Sequence, residues 1–109
     1  MTSGASRKLR HVVFFWLKNP GSSEDRDRLV AGLSTLRAIG EIEELHIGWP
    51  AATEQRAAVD HSFDVAEMMI FADEAAQRAY QAHPVHLKFV EDCGGLWSKH
   101  VVYDIIDVC

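Results

Sequence analysis

The chain has 109 residues, 48% of them hydrophobic and 25% charged, which is the composition of one globular domain and excludes a disordered chain, a repeat array or a coiled coil. Its formal net charge of −5 argues against nucleic acid or an anionic membrane as a partner. No apolar run approaches the roughly 18 residues of a membrane span, and the first ten residues lack the apolar segment of a signal peptide. Two cysteines are too few for a disulfide framework. We therefore expect a cytoplasmic protein.

The first predicted element is a strand over Leu9–Leu17, which follows a tail of residues 1–8. It is rich in β-branched and aromatic residues, and strand alternation divides its side chains between two faces. One face carries His11, Val13 and Phe15. The other face carries Val12, Phe14 and Trp16. Because both faces are apolar, we expect both to be covered.

The next part of the chain predicts a helix and a second strand. Ser22 and Asp25 have the spacing of a capping box, and leucines recur at helical spacing after them, so a helix is predicted over residues 23–39. A weaker strand is predicted over residues 42–49, and the small and polar residues 51–61 indicate a loop.

The second half of the chain predicts a strand, an interrupted helix and a last strand. The third strand covers residues 63–71, and alternation places three side chains on one of its faces: Val65, Glu67 and Met69. Asp73 caps a short helix that contains Tyr80, and Pro84 ends this helix and begins another. The apolar stripe predicted for that helix carries His86, Phe89, Val90, Cys93 and Trp97. The last strand is predicted over residues 101–108.

The predicted order β-α-β-β-α-β is that of an α+β protein with a ferredoxin-like fold, in which helices cover one face of a four-stranded antiparallel sheet. The opposite face would leave Val12, Phe14 and Trp16 as an exposed apolar patch. Packing this face against a second sheet removes the patch, and a twin subunit is the simplest source of one. The sequence therefore predicts a homodimer that associates through this face.

Three stretches of the chain resemble the stress-responsive A/B barrel (Dabb) family of the dimeric α+β barrel superfamily. They are the strand from Arg10 to Lys18 (RHVVFFWLK), the strand from Asp64 to Phe71, and the run from Tyr80 to His86 (YQAHPVH), which is followed by Phe89 and Trp97. The resemblance covers about residues 9–107, and we assign residues 9–109 to this domain.

The resemblance implies a homodimer in which two sheets form a barrel and each subunit has a cleft between its sheet and its helices. In plant polyketide cyclases of the family, the cleft performs an aldol-type ring closure without a cofactor or metal. The histidine matching His86 is the general base there, the tyrosine matching Tyr80 assists it, and the histidine matching His11 lines the cleft. This chain departs from the cyclases in its third strand, where Val65 replaces a cleft histidine and Glu67 replaces an apolar residue.

The residues themselves support two interpretations of each candidate. A desolvated His86 stays neutral and can accept a proton, and Tyr80 can donate to a substrate carbonyl, but both are also suited to a core position. Glu67 and Asp104 are either acids of raised pKa or carboxylates that are paired with an arginine or reach the cleft mouth. We expect His83 to cap the backbone at the helix break.

The predicted site therefore has His86 and Tyr80 as catalytic residues. The predicted ligand-contacting residues are His11, Val13, Glu67, Phe89 and Trp97. The break at Pro84 spoils the spacing of the nearby histidines for a metal, so we expect neither a metal nor a cofactor.

The leading functional hypothesis is a small apolar cleft that binds a small carbonyl or polyketide-like compound, with a cofactor-free cyclase or lyase as its enzymatic form. A non-enzymatic, stress-associated dimer and a cofactor-independent monooxygenase of the same superfamily are the alternatives. A cavity of about 300 Å³ or more would favour metabolite binding, and a cleft filled by Phe89, Trp97 and Met69 would favour the structural role.

Overall fold

The computed structural model describes residues 7–109, so most of the predicted N-terminal tail lies outside the described residues. In chain order the elements are strand β1 (Leu9–Leu17), helix α1 (Ser23–Ser34), a 3₁₀ turn (Thr35–Ala38), strand β2 (Ile42–Gly48), strand β3 (Val65–Phe71), helix α2 (Glu74–Ala82), helix α3 (Pro84–Cys93), a second 3₁₀ turn (Gly94–Leu96) and strand β4 (Trp97–Ile106). The strands form one antiparallel sheet in the order β2-β3-β1-β4. The predicted ferredoxin-like α+β fold is confirmed, with its second helix divided in two.

The helices begin where the sequence provides caps. The Ser22 hydroxyl accepts a hydrogen bond from the backbone N–H of Asp25, and the Asp73 carboxylate accepts one from Ala76. At the start of α3, His83 Nδ1 accepts a hydrogen bond from the backbone N–H of Val85, which confirms the predicted capping role of His83. These caps fix where α1, α2 and α3 enter the layer that covers the sheet.

Two predictions for α3 and the residues that follow it are wrong. Trp97 lies on β4 rather than on the helix, because Gly94 and Gly95 end α3 in a 3₁₀ turn and the strand begins four residues earlier than predicted. Val90 is 43% exposed and does not belong to the buried stripe of α3, which consists of Phe89 and Cys93. The predicted first helix likewise tightens into a 3₁₀ turn for its last residues.

The core lies between the sheet and the helices. Alternate residues of β1 and β3 point into it, and its fully buried side chains include Leu29, Leu33, Leu36, Met69 and Phe71. Helices α1 and α3 pack closely at Gly32, where a Cβ atom would collide with the Cys93 sulfur. Cys93 is therefore a buried thiol, as expected from its position on the apolar stripe.

The opposite face of the sheet, which we call the open face, carries Val12, Phe14 and Trp16 of β1. The connection between β2 and β3 covers part of it: the Trp16 indole donates a hydrogen bond to Ser62, and the Phe14 and Phe63 rings pack with centroids 4.9 Å apart. Strand β4 adds apolar side chains that stay exposed, Tyr103 at 57% and Ile105 at 48%. The open face is thus half-covered by its own chain.

None of the helices in the described part of the chain is long and apolar enough to cross a membrane.

Candidate functional site

A cavity of about 170 Å³ lies between the sheet and helices α2 and α3, and we call it the cleft. The two predicted catalytic residues, Tyr80 and His86, both line it. So do the five predicted ligand-contacting residues: His11, Val13, Glu67, Phe89 and Trp97. The structure thus brings together side chains from β1, β3, α2, α3 and β4 that are far apart in the sequence.

His86 presents one ring nitrogen as a base. Its Nδ1 lies 3.0 Å from the backbone carbonyl oxygen of Gln81. Because a carbonyl can only accept, Nδ1 carries the ring proton and Nε2 keeps its lone pair. Burial lowers the pKa of His86 below its ordinary value, and the nearby His11 acts in the same direction, although the bond to Gln81 opposes both. His86 is therefore a neutral imidazole at pH 7.

Tyr80 is a buried hydrogen-bonding group beside this base. The Tyr80 and His86 ring centroids are 4.5 Å apart, and the His11 ring meets Tyr80 edge-on at 5.7 Å. Burial raises the pKa of the Tyr80 hydroxyl well above its ordinary value, and the charges that Glu67 and Asp104 carry at alkaline pH add to this effect. Tyr80 thus remains protonated and is suited to donate a hydrogen bond rather than to act as a base.

His11 is held by the neighbouring strand. The pairing of β1 with β4 places it opposite Asp104, and its Nδ1 lies 2.6 Å from the Asp104 carboxylate. His11 is 5% exposed, whereas the Asp104 side chain is 48% exposed. The Asp104 carboxylate accepts a hydrogen bond from the Nδ1–H of His11, which fixes the ring orientation and leaves Nε2 for other contacts. One of the two interpretations of Asp104 was a paired carboxylate. The structure agrees with it, except that the partner is a histidine and not an arginine.

Glu67 does not pair with an arginine in the described chain, which was one of the interpretations left open for it. It is only 3% exposed, and its Oε2 has no hydrogen-bond partner among residues 7–109. Burial alone raises the pKa of Glu67 to about 8. The reason is its position: β3 places the side chain between the sheet and the helices, where no arginine or lysine of the described chain lines the cleft.

Five residues that line the cleft were not predicted from the sequence, namely Phe15, Gln81, Val90, His100 and Val102, and two of them, His100 and Gln81, contribute polar groups. His100 lines it and stacks on Phe15, with ring centroids 6.4 Å apart. Extending the last strand back to Trp97 would have placed His100 on the same face as Asp104, so this signal was present. The second contributor is the backbone carbonyl of Gln81, which no side-chain pattern could reveal.

The volume of the cleft limits what it can hold. It is smaller than the 300 Å³ set as the threshold for a typical metabolite, and close to the roughly 150 Å³ of an apolar protein cavity that binds benzene. Phe89 and Trp97 stack against each other at 5.8 Å and form part of its lining without filling it, and Met69 does not line it. Within the described residues, no group of three or more His, Cys, Asp or Glu side chains is arranged to hold a metal ion.

Comparisons with known proteins identify relatives across nearly the whole chain. The family model described as Stress responsive A/B Barrel Domain matches residues 9–107. An uncharacterized protein of Streptomyces coelicolor is 32% identical over 103 residues, covering 91% of this chain and 96% of that protein. Solved structures are also similar, and two of them bear on this chain. A dimeric ferredoxin-like protein of unknown function from Thermobifida fusca is 22% identical, with a TM-score of 0.76 over 94% of this chain and 92% of that one. The hydroxynitrile lyase from Passiflora edulis is 27% identical, with a TM-score of 0.75 over 93% of this chain and 94% of that one.

Proposed function

The chain belongs to the stress-responsive A/B barrel domain family, and from this premise we propose that its cleft binds a small carbonyl compound and catalyses cofactor-free proton transfer on it. The observation that carries the proposal is the pairing of a neutral imidazole with a protonated phenol in one cavity, with His86 and Tyr80 in ring contact at 4.5 Å. A base and a hydrogen-bond donor side by side are what carbonyl chemistry requires when no metal polarises the oxygen.

The roles follow from the protonation states. Nε2 of His86 accepts a proton from a substrate hydroxyl or from the carbon next to a carbonyl. The hydrogen bond from Nδ1 to the Gln81 carbonyl stabilises the imidazolium that forms. The Tyr80 hydroxyl donates to the substrate oxygen on which negative charge develops, and this interaction is stronger in a buried site than in water.

A lyase step is the form of this chemistry that a relative supports. The hydroxynitrile lyase from Passiflora edulis is similar to this chain over nearly its full length. In such a cleavage the hydroxyl proton passes to His86, the carbon–carbon bond to the nitrile breaks, and the released cyanide takes the proton as a carbonyl compound forms. An aldol-type step uses the same two residues to form a carbon–carbon bond. The cleft volume of about 170 Å³ favours a substrate of one ring over a long polyketide chain.

We propose further that the protein is a homodimer that associates through the open face. Exposed Tyr103 and Ile105 and half-buried Phe14 would be covered by the sheet of the second subunit. The dimeric ferredoxin-like protein from Thermobifida fusca, which shares the fold, supports this assembly. The cytoplasmic location expected from the sequence stays a prediction.

Cleavage of mandelonitrile (2-hydroxy-2-phenylacetonitrile) tests the proposal, because its benzaldehyde product is easily measured and its single ring fits the cleft. We expect the protein to form benzaldehyde faster than the buffer does, and a His86→Asn variant to fall to the buffer rate. If neither hydroxynitriles nor β-hydroxyketones of this size react faster with the protein than in buffer, the enzymatic proposal is contradicted.

One observation favours the non-enzymatic alternative, namely that the cleft is smaller than the 300 Å³ threshold. In that case the same ligands would bind without turnover, or none would bind, and the dimer would remain. The monooxygenase alternative gains no support beyond the shared fold.

A further inference from the structure

Among the described residues that line the cleft, only Glu67 has a buried side-chain nitrogen or oxygen without a hydrogen-bond partner. It lies in the middle of the sheet, opposite Val13 of β1 and Ile47 of β2, and is 3% exposed. Its Oε2 is fully enclosed and has no partner among residues 7–109, while its side chain lines the cleft. Buried polar groups in native proteins are normally hydrogen-bonded, so an orphaned carboxyl that faces a cavity indicates a partner that enters the cavity.

The groups around Glu67 do not supply a countercharge. The titratable side chains that line the cleft come from four elements: His11 of β1, Tyr80 of α2, His86 of α3 and His100 of β4. Two of the imidazoles are already engaged through Nδ1: the buried His11 with Asp104, and the half-buried His86 with the Gln81 carbonyl. The other neighbouring charge is the Asp104 carboxylate, which is also acidic.

Burial of an acid without a cation favours its neutral form, and it raises the pKa of Glu67 to about 8. A neutral carboxyl group has one O–H donor and a carbonyl acceptor, whereas an ionised one can only accept. Near neutral pH, Glu67 is therefore a hydrogen-bond donor enclosed by the largely apolar surroundings of the cleft.

We propose that Glu67 acts as a neutral carboxylic acid that donates a hydrogen bond to the oxygen of a neutral, single-ring carbonyl ligand, and that it thereby selects such ligands over ammonium and carboxylate compounds of the same size. An ammonium ligand would require Glu67 to ionise while both charges lose their water. A carboxylate ligand would lose its water in a cleft that no lysine or arginine of the described chain lines, and the nearby Asp104 carboxylate would oppose its charge. This inference rests on the proposed function, because it assigns the ligand of the same cleft.

Three probes of similar size and different charge test the selection: acetophenone, benzoate and 1-phenylethylamine. Calorimetric titration at about pH 6.5, below the pKa of Glu67, is carried out on the wild type, Glu67→Gln and Glu67→Leu. Glutamine keeps a donor and an acceptor but cannot ionise, and leucine keeps the approximate size without polar atoms. Met69→Leu is the matched control, because Met69 lies on the same face of β3 and does not line the cleft.

We expect the wild type to bind acetophenone more tightly than the two charged probes. Glu67→Gln and Met69→Leu should retain this affinity within about threefold, and Glu67→Leu should lose about tenfold or more, since one hydrogen bond is worth roughly that factor. Above pH 8, where Glu67 ionises, acetophenone affinity should fall in the wild type but not in Glu67→Gln.

Different failures separate the two proposals. Tightest binding of 1-phenylethylamine, abolished in Glu67→Gln, would show an ionised Glu67 and overturn the inference, as would equal acetophenone affinity in Glu67→Leu and the wild type. Failure of all three probes to bind would contradict the proposed function itself. A ¹³C NMR titration of the Glu67 carboxyl then judges the inference separately, since a group that is already ionised at about pH 6 is not a neutral donor.

Discussion

The imidazole of His86 packs against the phenol ring of Tyr80, with centroids 4.5 Å apart, although the two residues belong to different helices. Pro84 ends the first helix and starts the second, and His83 caps the second with its own side chain. A continuous helix would direct residues 80 and 86 away from each other, because six positions correspond to about 1.7 turns. The break between α2 and α3 therefore brings the His86 imidazole and the Tyr80 hydroxyl into one site.

The first prediction separates the basicity of His86 from its structural bond. In His86→Asn the amide N–H can still donate to the Gln81 carbonyl, but no base remains, so we expect turnover of mandelonitrile to be lost with the melting temperature nearly unchanged. His86→Ala should lose turnover as well and in addition cost about 1 kcal/mol of stability from the missing hydrogen bond. Initial rates and thermal melts measure the two effects. Full activity in His86→Asn would contradict the assignment of His86 as the base.

The second prediction concerns the pH dependence of stability. Below the ordinary pKa of 4.5, Glu67 is protonated in both the folded and the unfolded chain. Between that pH and about 8 the unfolded chain loses this proton and the folded chain keeps it, so folding stability should fall as pH rises across this window and level off above it. Across this window the free energy of unfolding should decrease by up to about 5 kcal/mol.

Glu67→Gln should abolish this contribution, because the amide does not titrate. Urea unfolding at several pH values measures it: the stability of the variant relative to the wild type should increase steadily from about pH 4.5 to about pH 8. Two pH curves that run parallel would indicate that Glu67 ionises normally in the folded chain.

The third prediction concerns the His11–Asp104 pair. Asp104→Ala leaves Nδ1 of a 5%-exposed histidine without its acceptor, which should cost about 1–3 kcal/mol of stability. Asp107→Ala is the matched control: Asp107 pairs with the more exposed Arg10 near the same end of the sheet, and its loss should cost less than about 1 kcal/mol. Urea titration compares the two variants, and equal losses would mean that His11 does not depend on Asp104.

The fourth prediction tests the assembly. Tyr103 is 57% exposed on the open face, and Leu87 is 55% exposed on α3, away from that face. Tyr103→Asp buries a charge in the proposed interface and should convert the dimer into monomers in sedimentation velocity, whereas Leu87→Asp should leave the dimer intact. A wild-type protein that sediments as a monomer at micromolar concentration would refute the proposed interface.

The elements that follow from local chemistry were predictable from the sequence. The bounds of β1 match its run of β-branched and aromatic residues, and Ser22 and Asp73 cap the helices that they were expected to cap. The course of the chain after α3 could not be predicted from the sequence, because two adjacent glycines, Gly94 and Gly95, can end a helix at several points. Here they let β4 begin at Trp97.

The contacts within the cleft depend on pairing between distant segments. The bond between His11 and Asp104 follows from the register of β1 with β4, which the sequence of either strand alone does not specify. A paired carboxylate was one interpretation of Glu67, on the general ground that buried carboxylates usually have a partner. It has none in the described chain because the residues facing it are set by the packing of α2 and α3 on the sheet, and none of those side chains is a lysine or an arginine.

The role of His86 as the base of the cleft can be tested by the histidine ring NMR spectrum of the labelled protein, recorded across pH and with saturating acetophenone. We predict that neutral His86 carries its proton on Nδ1, that its pKa lies below the ordinary 6.5, and that acetophenone shifts its Nε2 resonance while the resonances of His46 and His61, which lie outside the cleft, stay unchanged. A His86 that is protonated on Nε2 in its neutral form, or one whose resonances do not respond to the ligand at saturation, would show that His86 is not the base of this cleft.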